Sequence, residues 1–453
     1  MEWEAIQKRL NTLLENGRHG ELRGAMMMLN EVDIAQYMEG LDKDKLLLMF
    51  RILPKDISAD VFSYMSAEQK QTLIESIGDN EIRVLIDDMF LDDAVDFLEE
   101  LPASVVKRVL QTADPEKRNL INQFLRYPDN SAGSLMTIEY LEFHGEDTVR
   151  QAMEIIRKEG LDKETIYTLY IIDGTHHLIG TLPLRKMILA SEDTVLSDIM
   201  EHHPVSVCTT DDQEKVAELV RRYDLYAIPV VDKEDRLVGI ITADDIMDVI
   251  EEETTEDFEK MAALTPSDDE YLKTSVFQLA MNRIPWLLLM AVIAIFTGMI
   301  ITHYEDVLSS NAAVGIILTA CIPMLMDTGG NCGSQSSTLI IRGLSLGQIT
   351  LKDFLKALWK EFRVALIVGS VLFAFTLLRV HFVNGADWGV SFVVGAALFC
   401  TIVLAKALGC AMPMLAKKLG LDPALMASPM ITTVVDMSSL FIYFSIAKAV
   451  LKI

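Results

Sequence analysis

The sequence predicts a multi-domain protein with an α-helical solenoid N-domain, an α/β region of two similar halves, and a five-helix α transmembrane domain. Charge divides the 453-residue chain, because residues before Ser275 carry a net charge of −30 and the remainder carries +4. Five apolar runs in the second part are each long enough to span a bilayer as a helix. Apolar residues recur with helical spacing up to about residue 125, and strand-like runs alternate with helical segments after that point.

The first domain, residues 1–128, is predicted to be a small helical solenoid. The segments that begin at Leu53 and Leu101 both open with Leu-Pro and continue into two short amphipathic helices, so they look like two copies of one unit. Proline suits the first turn of a helix, where its missing N–H is not needed. Stacked helix pairs form solenoids, which usually serve as scaffolds or binding surfaces.

Residues 129–250 form the α/β region, in which one pattern occurs twice. Strand-like runs and helical segments alternate, and the first half ends GTLPLRKMI while the second ends GIITADDIM. The strand-like runs occupy residues 165–173, 177–184, 226–232 and 236–242, and the helical segments occupy 147–158 and 212–223. This arrangement resembles a tandem pair of cystathionine-β-synthase-type (CBS) domains, which often bind adenine nucleotides.

The CBS resemblance implies a ribose-binding role for Asp245 in the second copy. Lys186 occupies the corresponding position in the first copy, and an ammonium group can only donate hydrogen bonds. Thr168 and Leu225 stand where aromatic residues would favour ATP. We therefore expect ATP to bind poorly or not at all.

An acidic connecting helix follows, residues 251–274, and its acidic character begins at the end of the preceding domain. Between Asp244 and Glu259 lie nine carboxylates and no Lys or Arg. Four of them share one helical face, namely Asp245, Asp248, Glu252 and Glu256. Like charges so placed disfavour a helix by roughly a few tenths of a kcal/mol per pair. The face is therefore either a solvated surface or a sensor for a divalent cation, and Asp92 and Asp96 provide a second acidic face in the helical domain.

The transmembrane domain, residues 275–453, contains apolar runs at about 281–302, 312–341, 363–380, 389–412 and 425–450. The connections from Arg342 to Arg363 and at Lys417-Lys418 are basic, so the positive-inside rule places the N-terminus in the cytoplasm and the C-terminus outside. The charged N-terminus shows no cleavable signal peptide. The five cysteines have no CxxC spacing and indicate neither a disulfide framework nor a thiolate metal site.

Two of these runs carry polar residues at helical spacing. In the second run, which is interrupted by PMLMDTGGNCGSQ, the stripe comprises Asp327, Asn331, Gln335, Thr338 and Arg342. In the fifth run it comprises Ser428, Thr432, Asp436, Ser439 and Tyr443. A carboxylate near the centre of a membrane helix costs about 2.5–3.5 kcal/mol on insertion scales, so Asp436 is not expected to face lipid. It either hydrogen-bonds a neighbouring helix or lines a pore for a cation.

These motifs resemble the MgtE family of magnesium channels over essentially the whole chain. The most specific pieces are Thr328-Gly-Gly-Asn331-Cys-Gly333-Ser-Gln335 with Leu339-Ile-Ile-Arg342, and Leu421-Asp-Pro-Ala424 with Ser428-Pro429 and Asp436. The resemblance implies a homodimer in the lipid bilayer, with a pore at the subunit interface lined by the second and fifth helices. The pore positions that it implies are Asp436, Asn331 and Thr432.

The resemblance also implies that cytosolic Mg²⁺ closes the pore by binding between the acidic domains, so Mg²⁺ is expected as both the transported and the regulatory ion. The positions that match the family's regulatory ligands are Asp92, Asp96, Asp212, Glu214, Asp224, Asp245, Asp248, Glu253, Glu256 and Asp257.

The expected function is a Mg²⁺-selective channel for magnesium uptake across a bacterial-type plasma membrane. A proton-coupled or less selective divalent-cation transporter and a membrane-anchored CBS sensor are the alternatives. The sequence shows no catalytic Ser/His/Asp set, phosphate loop or zinc spacing, so an enzyme is not expected. The strongly negative soluble part repels nucleic acid, which excludes a nucleic-acid partner.

Overall fold

A computed structural model describes residues 2–99, 101–267, 271–272, 274–309 and 312–451. The chain divides into two compact units, residues 1–250 and 251–453. The predicted connecting helix 251–274 is shorter than expected, because the helix that contains its start ends at Met261; residues 268–270 and 273 of this segment lie outside the described residues.

Among its described residues, the first unit begins with ten short helices, as the solenoid prediction requires. Several begin at a side-chain cap: Asp42 accepts a hydrogen bond from the Lys45 N–H, and Asp114 accepts one from the Glu116 N–H. Pro54 and Pro102 both stand immediately before a helix, in the two copies recognised in the sequence. The helices are α1 (Glu2–Glu15), α2 (His19–Met26), α3 (Glu31–Glu39), α4 (Lys43–Ile52), α5 (Lys55–Ser63), α6 (Ala67–Ser76), α7 (Asp79–Asp88), α8 (Leu91–Glu99), α9 (Ala103–Thr112) and α10 (Pro115–Phe124).

The α/β region of the first unit contains two small sheets, one in each predicted half. The first sheet has the order β1-β2-β3-β4 and the second has the order β5-β6-β7. In each sheet a parallel pair is followed by an antiparallel pair, β1 with β2 and β2 with β3, then β5 with β6 and β6 with β7. The strands are β1 (Glu142–His144), β2 (Thr168–Ile172), β3 (Leu178–Pro183), β4 (Glu201–His202), β5 (Val207–Cys208), β6 (Ala227–Val231) and β7 (Leu237–Thr242).

Six helices accompany these sheets, and the last of them carries the acidic sequence. These are α11 (Ala132–Leu135), α12 (Val149–Glu159), α13 (Leu184–Ile188), α14 (Leu196–Ile199), α15 (Gln213–Tyr223) and α16 (Ala243–Met261). The four strand runs predicted from the sequence correspond to β2, β3, β6 and β7. The remaining strands have two or three residues, which is too short for alternation to reveal them.

In the part of the second unit that the structure describes, five helices are long and apolar enough to cross a membrane, as predicted. They are α18 (Ile284–His303), α20 (Ala312–Ser345), α21 (Phe354–Phe382), α22 (Trp388–Lys418) and α23 (Ser428–Leu451), and short helices α17 (Val276–Met281) and α19 (Glu305–Ser309) lie between or before them. Helix α22 lies at the centre, because it packs against α20, α21 and α23. Its central position accounts for the large buried share of its residues.

Helix α20 corrects the expectation that its run is interrupted. It continues for 34 residues through Pro323 and the glycine-rich sequence. The glycines are sites of close helix packing, since a methyl group on Gly329 would lie 2.7 Å from Thr401 Cγ2, and one on Gly333 would lie 2.6 Å from Ile431 Cγ2. Small residues allow membrane helices to approach this closely.

Candidate functional site

The polar stripe of α20 lies on the exposed side of the second unit. The residues with exposed side chains are Asp327, Asn331, Gln335, Thr338 and Arg342. The opposite side of the helix is buried, and Ser336 and Ser337 are fully inaccessible there. A polar stripe along a membrane helix has to meet water or another polar surface, because lipid cannot solvate it.

The stripe of α23 divides into two parts, which corrects the expectation of one continuous polar face. Thr432 and Asp436 are half-buried, whereas Ser439 and Tyr443 are fully buried. The Tyr443 hydroxyl donates to the Leu318 carbonyl of α20 at 2.9 Å, so this end of the stripe holds two helices together. Tyr443 is large enough to reach across the helix contact, which sequence spacing alone does not reveal. The side chain of Ser428 lies outside those described.

Thr432 and Asp436 adjoin the α20 stripe. A methyl group on Gly330 would lie 2.9 Å from Thr432 Cγ2, so the two helices touch beside Asn331. Asp327 precedes Gly330 by three residues and Asp436 follows Thr432 by four, so each carboxylate lies about one helical turn from this contact. Among the described residues, none donates a hydrogen bond to the Asp436 carboxylate, which disfavours the alternative of a packed, hydrogen-bonded Asp. The stripes therefore form one polar surface that offers amide, hydroxyl and carboxylate oxygens.

A buried cluster of carboxylates forms in the first unit between α8, α16 and the chain before β2. We call it the first acidic cluster, and it consists of Asp92, Asp93, Glu164 and Asp245. Asp245 is held in place at the start of α16, where its Oδ2 accepts a hydrogen bond from the Thr242 hydroxyl at 2.6 Å. Within the described residues, Asp92 Oδ1 and Glu164 Oε2 are buried without a hydrogen-bond partner. Buried carboxylate oxygens of this kind normally have a partner, and a cation supplies one.

The electrostatics of the first acidic cluster match that geometry. Burial, and next the Asp245 carboxylate, raise the pKa of Glu164 to about 8. Burial also raises the pKa of Asp93 to about 6, although Lys70 partly opposes the shift. Burial and the charges of Asp245, Asp93 and Glu164 raise the pKa of Asp92 well above its ordinary value. Each group is thus disfavoured in its charged form unless a positive charge joins the cluster.

A second group of carboxylates lies at the end of α16, within the second unit. We call it the second acidic cluster, and it consists of Glu253, Glu256, Asp257 and Asp422. Burial, then the Asp422 carboxylate, raise the pKa of Asp257 to about 6. This cluster contains a cation, because the Lys260 ammonium lies 2.7 Å from Glu256 and 2.7 Å from Asp422. These hydrogen bonds raise the pKa of Lys260 despite its partial burial.

The other predicted ligands have exposed side chains in the single chain, and among them Asp248 lies one helical turn after Asp245. Asp212 caps α15 by accepting a hydrogen bond from the Glu214 N–H at 2.9 Å, and Asp224 ends the same helix with a left-handed backbone. The exposed members are Asp96, Asp212, Glu214, Asp224 and Asp248.

The sequence did not indicate Asp93, Glu164 or Asp422 as cluster members. Glu164 lies in a loop that no motif marks, and only the fold brings it to α8 and α16. Asp93 follows Asp92 directly, and the prediction considered only residues four apart on one helical face, such as Asp92 and Asp96. Asp422 was noted only as part of the Leu421-Asp-Pro-Ala424 motif.

The clusters are open arrangements rather than finished ligand shells. Within the described part of the chain, no three Asp, Glu, His or Cys side chains surround a single point at coordinating distance. Mg²⁺ dehydrates reluctantly and keeps several waters, so carboxylates that bind it through water do not need such a shell. The oxygen-only donors and the unpartnered Asp92 oxygen fit a hard divalent cation.

A separate cleft of about 1100 Å³ lies between the two halves of the α/β region. Tyr167 and Tyr226 face each other there, with ring centroids 6.0 Å apart, and both rings are largely exposed. Arg185 lines the cleft, whereas Lys186 is not among its lining residues. The sequence pattern lacks aromatic residues at Thr168 and Leu225, but the structure provides one beside each position, Tyr167 and Tyr226.

These features define a multi-pass membrane protein with a polar, carboxylate-bearing surface in its membrane domain and acidic clusters that suit divalent cations. A family described as a divalent cation transporter, MgtE, matches residues 322–446, the MgtE intracellular N domain matches residues 29–130, and a CBS domain matches residues 196–252. The chain belongs to the MgtE family. This membership confirms the predicted family and the expectation of a transporter rather than an enzyme.

Known relatives resemble the chain over its whole length. It is 34% identical to the magnesium transporter MgtE of Thermus thermophilus over 453 residues, which covers 99% of each chain. It is 31% identical to that of Bacillus subtilis over 449 residues, covering 99% of this chain and 98% of the other. A crystal structure of the cytosolic domain of the Mg²⁺ channel MgtE in complex with ATP is 33% identical, with a TM-score of 0.51, and covers 54% of this chain and 99% of that chain.

Proposed function

We propose that the protein is a Mg²⁺-selective channel formed by two copies of the chain, with the pore between them. The observation that carries this proposal is the exposed polar stripe of α20 beside Asp436. A two-fold interface sets the same surface of each copy against the other. The stripe would then meet its own equivalent and enclose water, with two Asp436 carboxylates facing one another.

The pore groups suit hydrated Mg²⁺. Asn331, Thr432 and Asp436 offer oxygens that bind the waters of a hard cation, and a pair of carboxylates balances its two charges. Relatives named as magnesium transporters support Mg²⁺ as the ion. The basic connections favour a cytoplasmic position for the acidic domains and an outside position for the C-terminus, so the channel would mediate uptake across a bacterial-type plasma membrane.

The acidic clusters would make the channel close when cytosolic Mg²⁺ is high. Bound Mg²⁺ supplies the positive charge that favours the ionised carboxylates of Asp92, Glu164 and Asp245 in a compact arrangement. When Mg²⁺ is scarce, the same carboxylates repel one another and favour separation. The exposed ligands Asp96, Asp212, Glu214, Asp224 and Asp248 would complete sites only when other acidic surfaces approach them. Glu253, Glu256 and Asp257 would transmit the change through α16.

Reconstitution into liposomes that contain a Mg²⁺-sensitive dye tests this function. At equal pH on both sides, Mg²⁺ influx should follow the Mg²⁺ electrochemical gradient alone. Influx that requires an inward proton gradient would instead indicate a proton-coupled transporter. Absence of influx in correctly folded protein would support the membrane-anchored sensor.

An adenine nucleotide is a second candidate ligand, because the cleft offers two neighbouring tyrosine rings and a basic side chain. Tyr167 and Tyr226 are placed to hold a purine ring, and Arg185 is placed to pair with phosphate. The related cytosolic domain that was crystallised with ATP supports this interpretation over the expectation of poor binding. Calorimetric titration of ATP into the full chain tests it. Arg185→Ala should weaken binding at least several-fold, whereas Lys186→Ala should leave it unchanged, and equal effects of both would contradict the assignment.

A further inference from the structure

A charged pair lies buried among three membrane helices, away from the polar stripe. Lys406 of α22 and Glu361 of α21 are about nine-tenths buried, and both contact Ser336 of α20, which is fully buried. The Ser336 hydroxyl donates to Glu361 Oε2 at 2.5 Å, and the Lys406 ammonium donates to the same hydroxyl oxygen at 3.1 Å. The ammonium also lies 3.6 Å from Glu361 Oε2.

The pair lies at the same level of the bundle as the proposed cation site. A methyl group on Gly333 would lie 3.3 Å from Val435 Cγ2 and 3.4 Å from the Ala405 carbonyl oxygen. Val435 precedes Asp436 and Ala405 precedes Lys406, so both charged residues adjoin the contact at Gly333. The Lys406 ammonium therefore faces the buried side of α20, and the stripe occupies the exposed side, about one helix diameter or 10 Å away.

A contribution to stability does not by itself explain why this pair is buried. An apolar pair of similar volume is often as stable as a buried ion pair or more so, whereas loss of one partner leaves an uncompensated charge. Two unit charges interact strongly across 10 Å when little water separates them, and a divalent cation doubles the effect. Without Glu361, the positive charge of Lys406 would repel a cation beside Asn331 and Asp436.

We propose that Glu361 is a positioning residue for ion permeation that acts as the counter-ion of Lys406. It holds the ammonium against Ser336 and cancels its charge, so that Lys406 does not oppose the negative charges of Asp327 and Asp436 that a cation meets along the stripe. This inference rests on the proposed Mg²⁺ transport. Glu361 itself does not touch the permeating ion.

Influx of Mg²⁺ into dye-loaded liposomes, measured for four variants beside the wild type, tests the proposal. Glu361→Gln leaves Lys406 unpaired, and its influx should fall about tenfold or more. Lys406→Met should conduct at or above the wild-type rate, and the double variant should recover to within about twofold of it. Ser336→Ala is the matched control, because it removes the hydrogen bonds and retains both charges, and it should conduct nearly normally.

The influx rates of the four variants distinguish two roles of the pair: Glu361 as the counter-ion of Lys406, or the pair as a structural contact between helices. If the pair serves only as a brace, both single variants should lose influx and the double variant should not recover, which would overturn the proposal. Normal influx through Glu361→Gln would also overturn it. Size-exclusion profiles check folding, and if Glu361→Gln alone misfolds, a loss of influx in Lys406→Met still refutes the inference. Absence of influx in the wild type would refute the proposed function instead.

Discussion

The ammonium of Lys260 lies 2.7 Å from the carboxylate of Asp422, which ties the end of α16 to the turn that precedes α23. Asp422 in turn caps that turn by accepting a hydrogen bond from the Ala424 N–H at 2.8 Å. Helix α23 carries Asp436, so the acidic helix is linked through one lysine to the start of a proposed pore helix. The lysine supplies permanently the kind of charge that a bound cation would supply reversibly.

Replacing Lys260 with Met should weaken this link. Glu256 and Asp422 would then repel each other, and more Mg²⁺ would be needed to hold α16 against the turn. Two partly buried ion pairs contribute about 1 kcal/mol or less each, so the Mg²⁺ concentration for half-closure should rise roughly three- to tenfold. Open probability in inside-out patches against bath Mg²⁺ measures the shift. Lys418→Met removes a nearby exposed charge and should leave the dose dependence unchanged; a similar shift in both would refute a specific link.

Replacing Asp436 with Ala should abolish Mg²⁺ influx into liposomes while the protein remains folded. The substitution removes the central charge of the polar surface and little packing volume. Ser439→Ala is a suitable control, because Ser439 is fully buried and donates only to the Asp436 main-chain carbonyl at 2.9 Å. Near-normal influx through Asp436→Ala would move the ion site elsewhere, and Asp327 would be the next residue to test.

The first acidic cluster should determine sensitivity to cytosolic Mg²⁺. Removing carboxylates reduces the number of ions bound, so Asp92→Asn combined with Asp245→Asn should flatten the Mg²⁺ dependence of channel closure. The open probability without Mg²⁺ could change in either direction, because the same substitutions also relieve the repulsion between the carboxylates. Open probability in patches at several Mg²⁺ concentrations measures the slope. Glu218→Gln removes an exposed carboxylate of α15 and should have no effect; an unchanged slope in the double variant would exclude this cluster as the sensor.

Neutralising Asp245, Asp248 and Glu256 together extends the test along α16. The triple variant carries Asp245→Asn, Asp248→Asn and Glu256→Gln. It should show a smaller Mg²⁺-driven change in open probability than the wild type. An unchanged dose dependence would show that these three carboxylates do not bind the regulatory ions.

The membrane domain was predictable in outline because its signals are local. Length and hydropathy locate five helices, and periodicity locates the exposed stripe of α20. Burial of Ser439 and Tyr443 was not predictable, because it depends on which neighbouring helix each one meets. The same reason hides Glu361 and Lys406: each looks like an isolated charge near a helix end or within an apolar run, and only packing shows that Ser336 joins them.

The sequence predicted that acidic clusters exist, but it did not predict all of the residues that form them. Runs of Asp and Glu mark α16 from the sequence, and the family resemblance points to Asp92. The loop position of Glu164 and the turn position of Asp422 become meaningful only when distant segments pack together. The cleft shows the same limit, since Tyr167 and Tyr226 lie one residue from the positions that the sequence pattern selects.

Acid should stabilise the protein in the absence of Mg²⁺. Burial raises the pKa of Glu164 from 4.5 to about 8 and that of Asp93 from 3.8 to about 6. The folded state therefore binds more protons than the unfolded state between about pH 4 and pH 8. The resulting stability is fully present below about pH 4 and is lost as the pH rises through 6 and then 8. The unfolding temperature of the purified protein in Mg²⁺-free buffer should accordingly fall as the pH is raised from 5 to about 8.5.

Mg²⁺ and the variant Glu164→Gln provide the controls for this pH effect. Protons and Mg²⁺ compete for the same carboxylates, so added Mg²⁺ should raise the unfolding temperature more at pH 8 than at pH 5.5. Glu164→Gln removes a group that resists ionisation, so its unfolding temperature should depend less on pH than that of the wild type. Glu218→Gln should keep the wild-type slope, because that carboxylate is exposed. If Glu164→Gln retains the full slope, Glu164 does not cause the pH dependence, and its proposed burial as an uncharged group in the absence of Mg²⁺ is wrong.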